Sequence, residues 1–159
     1  MKGKSVHLEV LDSVARITLT QGERGNPFDQ VFCAELCDAA VECDENPQIR
    51  AILITAQGKY FSVGADLKAL GQDMEKLPRW LKAATANLHM AIARFSRCDA
   101  PIVLAAHALV TGGAVALTAM ADFALAAPIT CRVALVRVAP VNSCYSISAG
   151  PRSRPSSMG

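Results

Sequence analysis

The chain has 159 residues, of which 52% are hydrophobic and 19% charged, and a net charge of +2. That length fits one domain able to bury a real core, and the composition excludes a disordered chain. The small charge excludes the strongly basic surface that holds nucleic acid or an anionic membrane.

Met1 to His7 carries two lysines and then alternates, without the apolar block of a secretion signal, so a cytoplasmic protein is expected. Val6 to Leu11 and Val14 to Thr20 each alternate apolar and polar residues, and Asp12-Ser13 between them predicts a β-hairpin. Gln21 to Pro27, with Gly22, Gly25 and Pro27, reads as a loop. Phe28 to Asp44 places Phe28, Val31, Phe32, Leu36, Ala39 and Ala40 at helical spacing, and Asn46-Pro47 stops the helix. Six cysteines, at 33, 37, 43, 98, 131 and 144, raise the question of disulfides. Cys33 and Cys37 stand four apart on this helix and no secretion signal precedes them, so reduced, mostly buried thiols are expected. A zinc site at Cys33, Cys37 and Cys43 lacks a compact second ligand pair, and no metal is expected.

Ile49 to Thr55 is a continuous apolar run of the kind found in a strand buried on both faces. Gly58 to Lys68 follows it as a glycine turn, and Asp66 to Leu70 starts a short helix, with Asp66 as a cap for helix N–H groups. Gly71 to Pro78 is polar and reads as a loop. Arg79 to Arg97 is an amphipathic helix with Trp80, Ala84, Leu88, Ala91, Ile92 and Phe95 on one side. Pro101 to Ala106 predicts a strand, Gly113 to Met120 a helix and Asp122 to Ala127 a further strand. Strands alternating with helices predict an α/β fold of β-α-β units. The uncharged stretch from Ala100 to Ala121 is long enough to span a bilayer. It is rich in Ala, Val, Thr and Gly, contains His107 and lacks a basic flank, so a buried strand, turn and helix is the expectation.

Two glycine turns carry the chemistry. Gly64-Ala65 and Gly112-Gly113 each follow an apolar strand and open a helix, which leaves backbone N–H groups unpaired and pointing outward. Donors so placed suit an oxyanion, and the helix opened by Gly113 adds its dipole. Both turns would also serve as ordinary connections, where glycine is common. Ser62 shows no His and Asp partners of a hydrolase triad. His107, at an apolar strand end, is expected as a satisfied core histidine, and His89 as a solvated one. Lys59 and Lys68 flank the first turn and are weaker candidates for phosphate contacts, as is Arg24 in the loop before the first helix.

The phrase Phe61-Ser62-Val63-Gly64-Ala65-Asp66-Leu67-Lys68 resembles the first signature of the enoyl-CoA hydratase/isomerase (crotonase) family. The run from Ala100-Pro101-Ile102-Val103 through His107, Gly112-Gly113 and Leu117 to Asp122-Phe123 and Ala126-Ala127 resembles its second. The similarity covers residues 5 to 137 in order. It implies a crotonase-like spiral of β-β-α units and an acyl-CoA thioester as substrate, with coenzyme A as part of that substrate and no separate cofactor. Carried over by position, the oxyanion donors would be the amides of Ala65 and Gly113. Gly64, Ala65, Asp66, Leu67, Lys68, Gly112 and Gly113 would line the substrate. A homotrimer or hexamer is the assembly the resemblance implies.

The sequence also departs from that pattern. Where the family's hydratases place a glutamate after the second turn stands Ala116, and at their second acid stands Arg137. Isomerase branches use an aspartate near Asn142 or Ser143, yet no Asp or Glu follows Asp122. General acid–base work on a thioester needs a proton carrier within hydrogen-bond reach. Ala116 favours an isomerase-like branch over a hydratase with two glutamates, and the alternative is a non-catalytic acyl-CoA binder or an inactive remnant. Residues 1–141 are expected to form the acyl-CoA-binding core. Residues 142–159, rich in Ser, Pro and Arg, read as an irregular tail on a chain cut short within the family pattern.

Overall fold

The structure, a computed structural model, describes residues 1–66, 75 and 77–127. The boundary at 141 and the tail at 142–159 lie outside these residues, as do Cys131 and Cys144.

Strands β1 (Val6–Leu11) and β2 (Val14–Leu19) form the expected hairpin, with Leu11 opposite Val14. Asp12 and Ser13 take φ of 50° and 64°. Two positive φ values in a two-residue loop give the turn whose twist matches that of the strands.

Helix α1 (Gln30–Glu45) starts two residues later than its apolar spacing suggests. Asp29 is extended and caps it, its Oδ1 accepting the Phe32 N–H at 2.8 Å. Phe28 instead makes a short parallel bridge with Ala65, its N–H donating to Gly64 O at 2.8 Å. At the other end Asn46 is extended, as the Pro47 ring requires of the residue before it. Strand β3 (Ala51–Ala56) buries Ile52 and Ile54, but Leu53 is only half-buried. The expectation of burial on both faces is therefore corrected: β3 alternates, with one face in the core.

Helix α2 (Leu77–Phe95) takes in Leu77 and Pro78, read from sequence as loop. Proline is tolerated there because the first turn of a helix needs no N–H from it. Ala84, Ala91 and Phe95 are buried, with Trp80, Leu88 and Ile92 packed against the same core. Strand β4 (Ile102–Ala106), helix α3 (Gly113–Met120) and strand β5 (Phe123–Ala126) complete the described chain. Ala100 to Ala121 is thus a strand, a turn and a short helix. No helix among the described residues is long and apolar enough to cross a membrane.

The sheet runs β1-β2-β3-β4-β5, antiparallel in the hairpin and parallel from β2 onward. Strand order equals chain order, so every helical crossover steps the same way across the sheet. The core lies between the strands and the paired helices α1 and α2, and contains Ile17, Ile54, Leu104, Phe32, Leu36 and Phe95. Its consequence for the site is positional: β3 and β4 are neighbours, so the turns leaving their ends meet.

Candidate active site

Beyond β3 the chain is held by Asn26. This buried residue takes φ of 50°, and its Nδ2 reaches the carbonyls of Gln57 at 2.9 Å, Tyr60 at 3.1 Å and Phe61 at 3.1 Å. Ser62 follows, fully buried. Its Oγ donates to Asn26 O at 2.8 Å and accepts the Gly64 N–H at 3.1 Å. Its main chain pairs with the second turn, Ser62 N–H to Leu109 O and Thr111 N–H to Ser62 O, both at 3.1 Å. Both bonding directions of the hydroxyl are used within the fold, so Ser62 is not arranged as a nucleophile.

The two glycine turns touch. Gly64 has φ of 81° and Gly112 φ of 57°. A Cβ added to Gly112 would stand 3.2 Å from Gly64 Cα and 3.7 Å from the Ala65 nitrogen. A Cβ on Gly113 would stand 2.7 Å from the Phe28 ring and 3.0 Å from Leu88 Cδ2. Gly112 therefore supplies a conformation and Gly113 a close approach, two different reasons for glycine. Gly113 is the first residue of α3, where no preceding carbonyl within the helix can take its N–H. Among the described residues no acceptor takes the N–H of Ala65 or of Gly113. The structure thus brings together Gly64, Ala65, Gly112 and Gly113, while Leu67 and Lys68 lie outside the described residues.

Asp66 is ion-paired with Arg24, which also reaches Asp29 Oδ2 at 3.2 Å. The expected capping role of Asp66 falls on residues not described. Arg24 spends its guanidinium on these two carboxylates and on Gln21, which ties the loop before α1 to the first turn. It also lines a groove of about 460 Å³ with Thr20, Gln21, Gly22, Glu23, Gln57 and Gly58. Lys59 lies over the Tyr60 ring, 5.3 Å from its centroid. His107 corrects its expectation in part: it is satisfied, with Nε2 2.8 Å from Gly58 O, but it is exposed and not in the core. His89 is exposed on α2, as expected. Helix α3 carries no ionisable side chain, and Ala116 on it is exposed. Asn26 and Ser62, the two side chains that organise the first turn, were not singled out for this by sequence. The usable signal was an asparagine between Gly25 and Pro27, a residue type that tolerates positive φ.

A sheet wound in chain order, with paired glycine turns at the ends of adjacent parallel strands, defines an α/β class of protein. Comparison with known proteins makes the class specific. The family model for enoyl-CoA hydratase/isomerase matches residues 9–131. A probable enoyl-CoA hydratase of Mycobacterium tuberculosis is 31% identical over 77% of this chain and 47% of its own length. A trans-2-decenoyl-[acyl-carrier-protein] isomerase of Streptococcus mutans is 29% identical over 79% of this chain and 48% of its own. The crystal structure of an enoyl-CoA hydratase/isomerase from Xanthobacter autotrophicus superposes with a TM-score of 0.68 and 29% identity, covering 79% of this chain and 46% of that one. The chain belongs to the enoyl-CoA hydratase/isomerase family and has its crotonase-like fold. It spans about half the length of these relatives.

Proposed function

We propose that the chain binds an acyl-CoA thioester with its carbonyl oxygen between the amides of Ala65 and Gly113, and stabilises the enolate formed there. The observation that carries this reading is the pair of N–H groups on two touching turns that find no acceptor among the described residues. An enolate concentrates negative charge on the thioester oxygen, and fixed dipoles lower its energy without rearranging at the moment of reaction. Gly64, Asp66 and Gly112 would shape the turns around the acyl group, with Leu67 and Lys68 continuing the first. Coenzyme A arrives as part of the substrate, and no further cofactor enters the proposal.

The reaction would be closer to double-bond isomerisation than to hydration. Hydration needs a group that activates water beside one that delivers a proton. Ala116 stands where the family's hydratases carry one of these. A second reading, acyl-CoA binding without turnover, is favoured by the absence of any ionisable side chain on α3.

The two readings separate in one assay with purified chain and β,γ-enoyl-CoA or α,β-enoyl-CoA of short and medium length, followed by the absorbance of the conjugated thioester. Gly113→Pro removes the N–H at a helix position that accepts proline. Gly113→Ala keeps the N–H while adding the same Cβ against Phe28. If the hole is catalytic, the wild type turns over, and Gly113→Pro falls about 10²- to 10³-fold below Gly113→Ala. Binding without turnover selects the second reading. Neither binding nor turnover defeats both.

A further inference from the structure

We propose that the Ser62 side chain is a positioning residue, whose hydroxyl ties the first glycine turn to Asn26 and so aims the Ala65 amide at the oxygen it shares with the Gly113 amide. The inference rests on the oxyanion-hole reading above. Ser62 is bonded to three separate segments. Its hydroxyl donates to Asn26 O and accepts from Gly64 N–H, and its main chain pairs with Leu109 and Thr111. Gly64 immediately precedes one proposed donor, and Thr111 lies two residues before the other.

The two kinds of bond respond differently to substitution. The main-chain pair survives any side chain, whereas the hydroxyl pair needs a group that both donates and accepts at 0% exposure. Alanine there would leave the Asn26 carbonyl and the Gly64 N–H buried without partners. Ser62 Oγ holds the Val63–Gly64 peptide through the Gly64 N–H, while the next peptide, which carries the Ala65 nitrogen, is held by the Phe28 N–H on Gly64 O. Between these two anchors Gly64 has φ of 81° and no Cβ to restrict it. Losing the hydroxyl therefore removes one of the two anchors that fix the direction of the Ala65 N–H.

The test uses sorboyl-CoA, a conjugated dienoyl thioester whose absorption band moves to longer wavelength when its carbonyl oxygen is polarised. Three full-length proteins are compared at saturating ligand: wild type, Ser62→Ala, and Ala40→Gly. The last lowers stability from the middle of α1, away from the turns. Ser62→Cys, with a weaker donor and acceptor, replaces Ser62→Ala if that variant does not fold. Amide exchange is followed in parallel. The expected result is a red shift in wild type and Ala40→Gly that is mostly lost in Ser62→Ala, with Gly64 N–H exchange at least about tenfold faster in that variant. A full shift in Ser62→Ala overturns the positioning role and leaves the oxyanion-hole reading standing. Loss of the shift in Ala40→Gly as well overturns it too, because general destabilisation would then explain both. Bound ligand with no shift in wild type defeats the oxyanion-hole reading, and the role of Ser62 with it.

Discussion

Glu35 lies in α1, yet its carboxylate is spent on the start of the chain, accepting the N–H groups of Lys4 and Ser5 at 2.8 Å and of Val6 at 2.9 Å. Burial pushes this carboxyl up, but the three N–H bonds together with the Lys4 charge outweigh it, and the pKa lies below the ordinary glutamate value. The folded state thus favours the charged form more than the unfolded state does. The contribution is full above the ordinary glutamate range and is lost as the pH falls through the folded value. Glu35→Gln should cost about 1 kcal/mol at neutral pH, a figure kept low by the partial exposure of the group. The gap between variant and wild-type urea midpoints should close in acid. A gap that stays constant with pH would show that shape, not charge, holds the first residues. None of this was visible in sequence, because Glu35 meets partners about 30 residues away. Asn26 and Ser62 escaped for the same reason: their partners lie across the fold.

At the scale of elements, the turns were legible because their chemistry is local. Apolar strand, glycine, helix is a pattern that a chain cannot adopt in many ways, and Gly113 is the first residue of α3, as its position predicts. The start of α1 was misplaced because Phe28 satisfies the helical period but is used in a bridge to Ala65. Spacing reports which side chains are apolar, not which neighbour takes them. Leu77 and Pro78 were misjudged for the complementary reason, since proline breaks a helix interior but not its first turn. Gly112 offers the sharper test of the turn geometry. Its φ of 57° and ψ of −130° belong to a region that side chains avoid, and a Cβ would press on Gly64 at 3.2 Å. Gly112→Ala should cost about 1–3 kcal/mol, read from the urea midpoint. It should also weaken acyl-CoA binding, because the turn it would push is the one that carries Ala65. A variant as stable as wild type would show that the turn relaxes freely.

For the whole molecule, the alternation of strands and helices was enough to indicate a layered α/β fold of β-α-β units, and the spiral came only from the family resemblance, while the half-burial of Leu53 depends on which face the helices cover and was not legible. Two thiols on α1 report on the integrity of that entire arrangement. Burial, with Asp29 nearby, raises Cys33 to about 12, and burial, with Cys98 and Glu42 nearby, raises Cys43 to about 12. Both are free thiols in the core that joins α1 to the sheet and to α2. Because the folded values exceed the ordinary 9.0, their contribution is full below that pH. It is lost as the pH rises from there towards about 12, as the unfolded chain ionises first. Near neutral pH these two thiols should react with iodoacetamide only when the molecule opens, far more slowly than half-buried Cys37, and peptide mapping distinguishes the three. A ligand that binds only the folded state slows opening-limited labelling by its own occupancy, about 100-fold at 100 times its Kd. Acyl-CoA should therefore protect Cys33 and Cys43 together, although neither belongs to the proposed site. Gly113→Pro should weaken that protection more than Gly113→Ala if the Gly113 amide holds the thioester. Labelling unchanged by saturating acyl-CoA would show that the ligand does not engage the folded chain.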